Sequence, residues 1–115
     1  MSNIVIRDFQ SEDYDMLIAL WEDAELPYRP HGRDSREDIE RQLKQPTAIY
    51  LVAELDGKLV GAVLGTHDGR KGWINRLAVL PSHRRQGIVR MLVEELEKRI
   101  CNLGIGIMAC LVEDW

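Results

Sequence analysis

The residues with the clearest chemistry lie in one run, Leu77-Ala78-Val79-Leu80-Pro81-Ser82-His83-Arg84-Arg85-Gln86-Gly87-Ile88-Val89-Arg90. Its residue types suit the holding of a diphosphate. Leu77, Ala78 and Val79 read as the end of a buried strand, the next residues as a tight basic turn, and Gly87 as the start of an amphipathic helix. A helix start offers N–H groups that lack intrahelical acceptors, together with the positive end of the helix dipole. An anion answers both. Gly87 carries no side chain that would hold a phosphate away from the main chain. Arg84, Arg85 and Arg90 add positive charge around that cradle, and His83 is expected as a solvent-facing turn residue beside it.

With its strand, its proline, its basic residue and its glycine, the run resembles the acetyl-CoA-binding signature of the GNAT superfamily of N-acetyltransferases. That signature is written R/Q-x-x-G-x-G/A and falls here on Arg84, Gly87 and Val89. The resemblance implies that the main chain of Arg84, Arg85, Gln86, Gly87, Ile88, Val89 and Arg90 holds the diphosphate of acetyl-CoA. It also implies that the main chain of Leu77, Ala78 and Val79 pairs with the pantetheine arm. In family order it extends over essentially the whole chain: strand, two helices, three antiparallel strands, signature helix and a further strand. The fold implied is α/β, an acyl-CoA N-acyltransferase fold with a mixed, mostly antiparallel sheet flanked by helices. Val89 departs from the usual Gly or Ala. Its branched side chain is expected to crowd the diphosphate or the helix–strand contact, so that Val89→Gly tightens binding.

The elements that position this run are legible as patterns. Ile4-Val5-Ile6 between polar neighbours predicts a short strand from Asn3 to Arg7. Ser11 is expected to cap a helix over Glu12 to about Glu25, with Leu17, Leu20, Trp21 and Ala24 on its apolar face. Pro27 and Pro30 interrupt it. Asp34 or Ser35 then caps a short helix from Arg36 to about Gln45. Ile49–Leu55 and Leu59–Thr66 read as strands joined by an Asp56-Gly57 hairpin turn. Gly61 and Gly65 mark places where a neighbouring backbone comes close. A looser turn leads to a strand over Trp73–Val79. The signature helix runs from Gly87 to about Cys101, with Ile88, Leu92, Leu96 and Ile100 as its core stripe. Glu94–Lys98 and Glu95–Arg99 are expected as surface pairs. A last strand spans Ile107–Val112.

The chain has 115 residues, 45% of them hydrophobic and 30% charged, as in an ordinary globular domain. The expectation is one domain over residues 1–115, incomplete because the family's last helix and two strands would follow Val112. Such an ending would leave the sheet open, and a strand-paired or swapped homodimer is expected from it. The formal net charge of −4 argues against nucleic acid as a partner. No apolar run is long enough to cross a bilayer, and no secretion signal is apparent, so a cytoplasmic protein without membrane partners is expected. Cys101 and Cys110 are expected as buried thiols.

Acetyl transfer to an amine requires a held thioester, a polarised carbonyl and a proton acceptor. By resemblance, the N–H near Leu77 polarises the carbonyl. Relatives often place a glutamate on the strand before or after the signature, but the corresponding positions here are Trp73 and Leu111. Glu113 and Asp114 lie just beyond and read either as a base acting through water or as solvated strand-end carboxylates. Tyr28, Arg29 and Arg33, between the first two helices, read either as groups that orient the acceptor or as an ordinary proline-stiffened loop. Trp21 and Trp73 are expected as core, and Trp115 as a residue needing cover. His31, His67 and His83 lack ligand spacing, so no metal is expected. Neither G-K-[ST] nor G-x-G-x-x-G occurs in the right context. Two functions remain: an acetyl-CoA-dependent N-acetyltransferase using direct attack on a small-molecule or peptide amine, or a non-catalytic acyl-CoA-binding or inactive module.

Overall fold

The β-branched run Ile4-Val5-Ile6 forms the start of β1 (Ile4–Asp8), and the chain then turns into α1 (Tyr14–Asp23) through a short 3-10 turn. The computed structural model describes residues 4–24, 35–68, 71–104 and 108–110. The remaining elements are α2 (Arg36–Leu43), β2 (Ala48–Leu55), β3 (Lys58–His67), β4 (Gly72–Val79), α3 (Ile88–Asn102) and β5 (Met108–Cys110). The five strands lie in sequence order in one sheet. β1 to β4 pair antiparallel, and β5 joins β4 in parallel after the α3 crossover. This is the expected mixed, mostly antiparallel α/β arrangement. No helix among the described residues is long and apolar enough to cross a membrane.

Helices cover both faces of the sheet. Ile88, Leu92, Leu96 and Ile100 are each at most 1% exposed and pack α3 onto a track of glycines. A Cβ at Gly61, Gly65 or Gly72 would stand 3.0, 2.8 and 2.6 Å from side-chain atoms of Ile88, Leu96 and Ile100 respectively. The close approach expected at Gly61 and Gly65 is therefore made chiefly by helix side chains. On the opposite face, Arg76 pairs with Leu64 and lies 4.5 Å over the buried Trp21 ring of α1. The β3–β4 register shifts between Leu64 and Gly65, which face Arg76 and Ile74 and leave Asn75 in a bulge. Asn75 Nδ2 donates to Thr66 Oγ1 at 2.8 Å. At the Asp56-Gly57 turn both φ angles are positive (52° and 81°), the twist that a two-residue hairpin requires.

Several local expectations are corrected. Ser11 does not cap α1; it lies inside the 3-10 turn, and Asp13 accepts the Gln10 N–H at 2.9 Å. Asp13 also takes two Arg7 hydrogen bonds, at 2.7 and 2.9 Å, while Arg7 Nε donates to Glu54 at 3.0 Å. The helix α1 starts after Asp13 without a side-chain cap bond, because the Asp13 carboxylate is committed to Arg7 and to the Gln10 N–H. Ser35 does cap α2, accepting the Asp38 N–H at 3.2 Å. Cys101 is exposed rather than buried, because it follows Ile100 and so lies a third of a turn off the core stripe. Trp73 is only partly buried, with the Lys71 ammonium 5.9 Å from its ring centre. Glu94 lies 4.0 Å from Arg90 rather than pairing with Lys98. Arg99 does bond Glu95, at 2.9 Å, but also reaches Asp8 and so ties α3 to β1.

Candidate functional site

The β4–α3 junction turns the sequence run into a cradle. Leu80 is held to the sheet by its N–H bond to Val60 O at 2.9 Å, and Pro81–His83 then form a single 3-10 turn. Two residues that follow take left-handed backbone conformations: Arg85 at φ 67° and Gly87 at φ 79°. Glycine accepts that geometry freely, whereas arginine does so at a cost of about 1 kcal/mol. Gly87 is the residue before α3, and no side chain caps the helix there. The first intrahelical bond in that turn runs from Met91 N–H to Gly87 O, at 3.0 Å. The N–H groups of Ile88, Val89 and Arg90 are thus left pointing out of the helix start.

A groove of about 610 Å³ opens over this turn. On one side, Val79, His83, Arg84 and Arg85 line it; on the other, the start of α3 supplies Gly87, Ile88, Val89 and Arg90. Arg84, Arg85 and Arg90 are exposed. Among the described residues one distant bond holds the Arg84 guanidinium, from Nε to Val79 O at 3.4 Å, and the Ser82 hydroxyl lies 2.9 Å from His83 Nδ1. Unpaired donors, a helix dipole and loosely held cations fit a diphosphate.

Most of the expected cofactor-binding residues converge here. Gln86 is exposed in the turn but does not line the groove. Ile88 is 1% exposed, so its side chain belongs to the core and its main chain to the cradle. Val89 is 47% exposed and projects into the groove, so it does not crowd the helix–strand contact. Val79 lines the groove, whereas Leu77 and Ala78 lie farther up β4. The β5 register covers Gly72, Trp73 and Ile74, and among the described residues Arg76–Val79 pairs with β3 alone. His83, expected as a solvent-facing turn residue, is half-buried and lines the groove. Tyr28, Arg29, Arg33 and Glu113 lie outside the described residues, as do Asp114, Leu111 and Trp115. Among the described residues, no three His, Cys, Asp or Glu side chains gather to hold a metal ion.

Sequence reasoning missed Val93, Glu94 and Glu97, which continue the groove along α3. The signal was available, since positions 90, 93, 94 and 97 fall on one helical flank.

Residues 14–114 match the Acetyltransferase (GNAT) family. A protein named an acetyltransferase from Yersinia pestis is 38% identical over 109 residues, which cover 95% of this chain and 76% of that protein. Among solved structures, the PaiA N-acetyltransferase from Thermoplasma acidophilum in complex with coenzyme A superposes with a TM-score of 0.83. The identity is 21%, over 96% of this chain and 79% of that one. An aminoglycoside N-acetyltransferase, AAC(6′)-Iy, in complex with CoA gives 0.79 at 19% identity, covering 98% and 79%.

Proposed function

The chain belongs to the GNAT acetyltransferase family, and from that premise we propose that it transfers the acetyl group of acetyl-CoA to a primary amine of a small molecule or peptide. The uncapped start of α3 carries this reading: it sets the N–H groups of Ile88, Val89 and Arg90 among three loosely held arginines. The CoA diphosphate would sit there, and the acyl arm would run along the β4 edge at Leu77, Ala78 and Val79. A main-chain N–H near Leu77 would polarise the thioester carbonyl. The amine nitrogen attacks the thioester carbonyl directly, the C–S bond breaks and coenzyme A leaves as its thiolate. Glu113, through water, is the proposed acceptor of the amine proton, which finally passes to that thiolate. Tyr28, Arg29 and Arg33 are the proposed acceptor contacts. The names of the Thermoplasma and aminoglycoside enzymes accord with an amine acceptor.

Calorimetry of acetyl-CoA, desulfo-CoA and ATP into the chain tests the cofactor half. Saturable binding of the first two supports it, and no binding by a folded chain removes it. Turnover of a panel of primary amines tests the other half.

Trp73 favours a second reading, a non-catalytic acyl-CoA-binding module. It occupies the strand position where relatives often carry a glutamate, and β4, GWINRLAV, contains no carboxylate. Cofactor binding without turnover of any amine above the buffer background would select that reading.

A further inference from the structure

The groove over the β4–α3 junction carries an internal contradiction of charge. Its lower part is built for an anion, yet its continuation along α3 presents two carboxylates, Glu94 and Glu97. Facing a polyanion alone, they would weaken its binding. Between them and the cradle lie Val89 and Val93, four residues apart and so on one helical flank. Val89 is 47% exposed, an unusual place for a branched apolar side chain. Glu94 is only loosely engaged: its nearest cation, Arg90, stands 4.0 Å away, and both side chains are largely exposed.

We propose that this flank is a subsite for the adenine ring of the bound cofactor. Val89 and Val93 form the apolar platform, and Glu94 or Glu97 accepts from the exocyclic amino group. The inference rests on the acetyl-CoA reading above and deepens it. A ring with an apolar face and a donor edge uses both features that an anion cannot use. The distances agree. Glu94 and Glu97 stand about 9 and about 14 Å up the helix axis from Ile88, which is the reach of a nucleoside from its 5′-diphosphate. Val89 is then a contact for the base rather than an obstacle to the phosphates.

The test is calorimetry on the whole chain with CoA, inorganic diphosphate, ADP and purine riboside 5′-diphosphate, which lacks only the amino group. ADP should bind about fivefold tighter than the deamino nucleotide, the effect of one exposed charge-assisted hydrogen bond. In the Glu94→Ala/Glu97→Ala double variant that ratio should fall to about one. Val89→Ala should weaken ADP about twofold, as loss of a small apolar contact predicts. Equal affinity of the two nucleotides for the unaltered chain overturns the subsite. So does an unchanged ratio in the double variant, with both nucleotides tightened by relief of repulsion. Tighter ADP binding by Val89→Ala would restore the crowding expected from the sequence and overturn the platform. If CoA and inorganic diphosphate bind while the nucleotides do not differ, only the subsite falls. If nothing binds, the cofactor reading falls with it.

Discussion

The two ends of α3 are built on opposite principles. At the N-terminal end the helix has no side-chain cap, a non-glycine residue precedes it in a left-handed conformation, and among the described residues its arginines make at most one weak contact each. Toward the C-terminal end Arg99 is held by Glu95 and by Asp8 of β1. Next to Asp8, Arg7 is held by Asp13 and Glu54. These carboxylates raise the Arg99 and Arg7 guanidiniums above the ordinary arginine range, outweighing the opposing effect of burial. Arginine alone therefore does not mark a site. What marks it is a cation, and a set of N–H donors, whose bonds the fold has left unmade.

The sharpest way to break this comparison is Gly87→Val. A Cβ there meets no atom within 4 Å, so the fold should persist with strain only at φ 79°. The side chain would nevertheless stand where the diphosphate approaches. Acetyl-CoA affinity should fall about 100-fold, or about 2.7 kcal/mol, and calorimetry measures it. Retained affinity would mean that the turn is not the cradle.

At the satisfied end the effect should appear in stability alone. Asp13 is 4% exposed, and the Arg7 hydrogen bonds, aided by the Gln10 N–H, hold its carboxyl below the usual aspartate range against the effect of burial. A folded-state value below the unfolded one means that the unfolded chain takes up the proton first. The stabilisation is therefore complete above the unfolded aspartate value of about 3.9 and is lost as pH falls through the depressed folded value. Asp13→Asn should cost about 2 kcal/mol at pH 7 and flatten the acid limb of the stability–pH curve. Denaturant melts at a series of pH values read both, and an unchanged acid limb would refute the role of Asp13.

Arg85→Gly should separate the two principles within one residue. Releasing the positive φ should stabilise the chain by about 1 kcal/mol. Loss of the cation should weaken acetyl-CoA binding about threefold. Stability and affinity moving together would contradict the distinction. The smallest effect belongs to Arg99→Ala, a loss of about 0.5 kcal/mol in stability with no change in acetyl-CoA affinity.

Local chemistry written in consecutive residues was legible without the structure. The Asp56-Gly57 turn, the Ser35 cap, the four-residue stripe of α3 and the strand–turn–helix run to Arg90 each depend on neighbours a few positions apart. Periodicity and capping report such neighbours directly. Only tertiary structure decided matters that depend on residues far apart in the chain. Arg7 meets Glu54 because β1 lies on β2, and the same guanidinium holds Asp13, the residue before α1. The bulge at Asn75 follows from pairing across β3, and the glycine track from where α3 lands. Val89 read as an obstacle while it was only a departure from a motif, and became a groove-lining side chain once its exposure and the flank to Glu97 were fixed. Sequence period assigns a residue to a helix face; what that face meets is set by the packing of the whole chain.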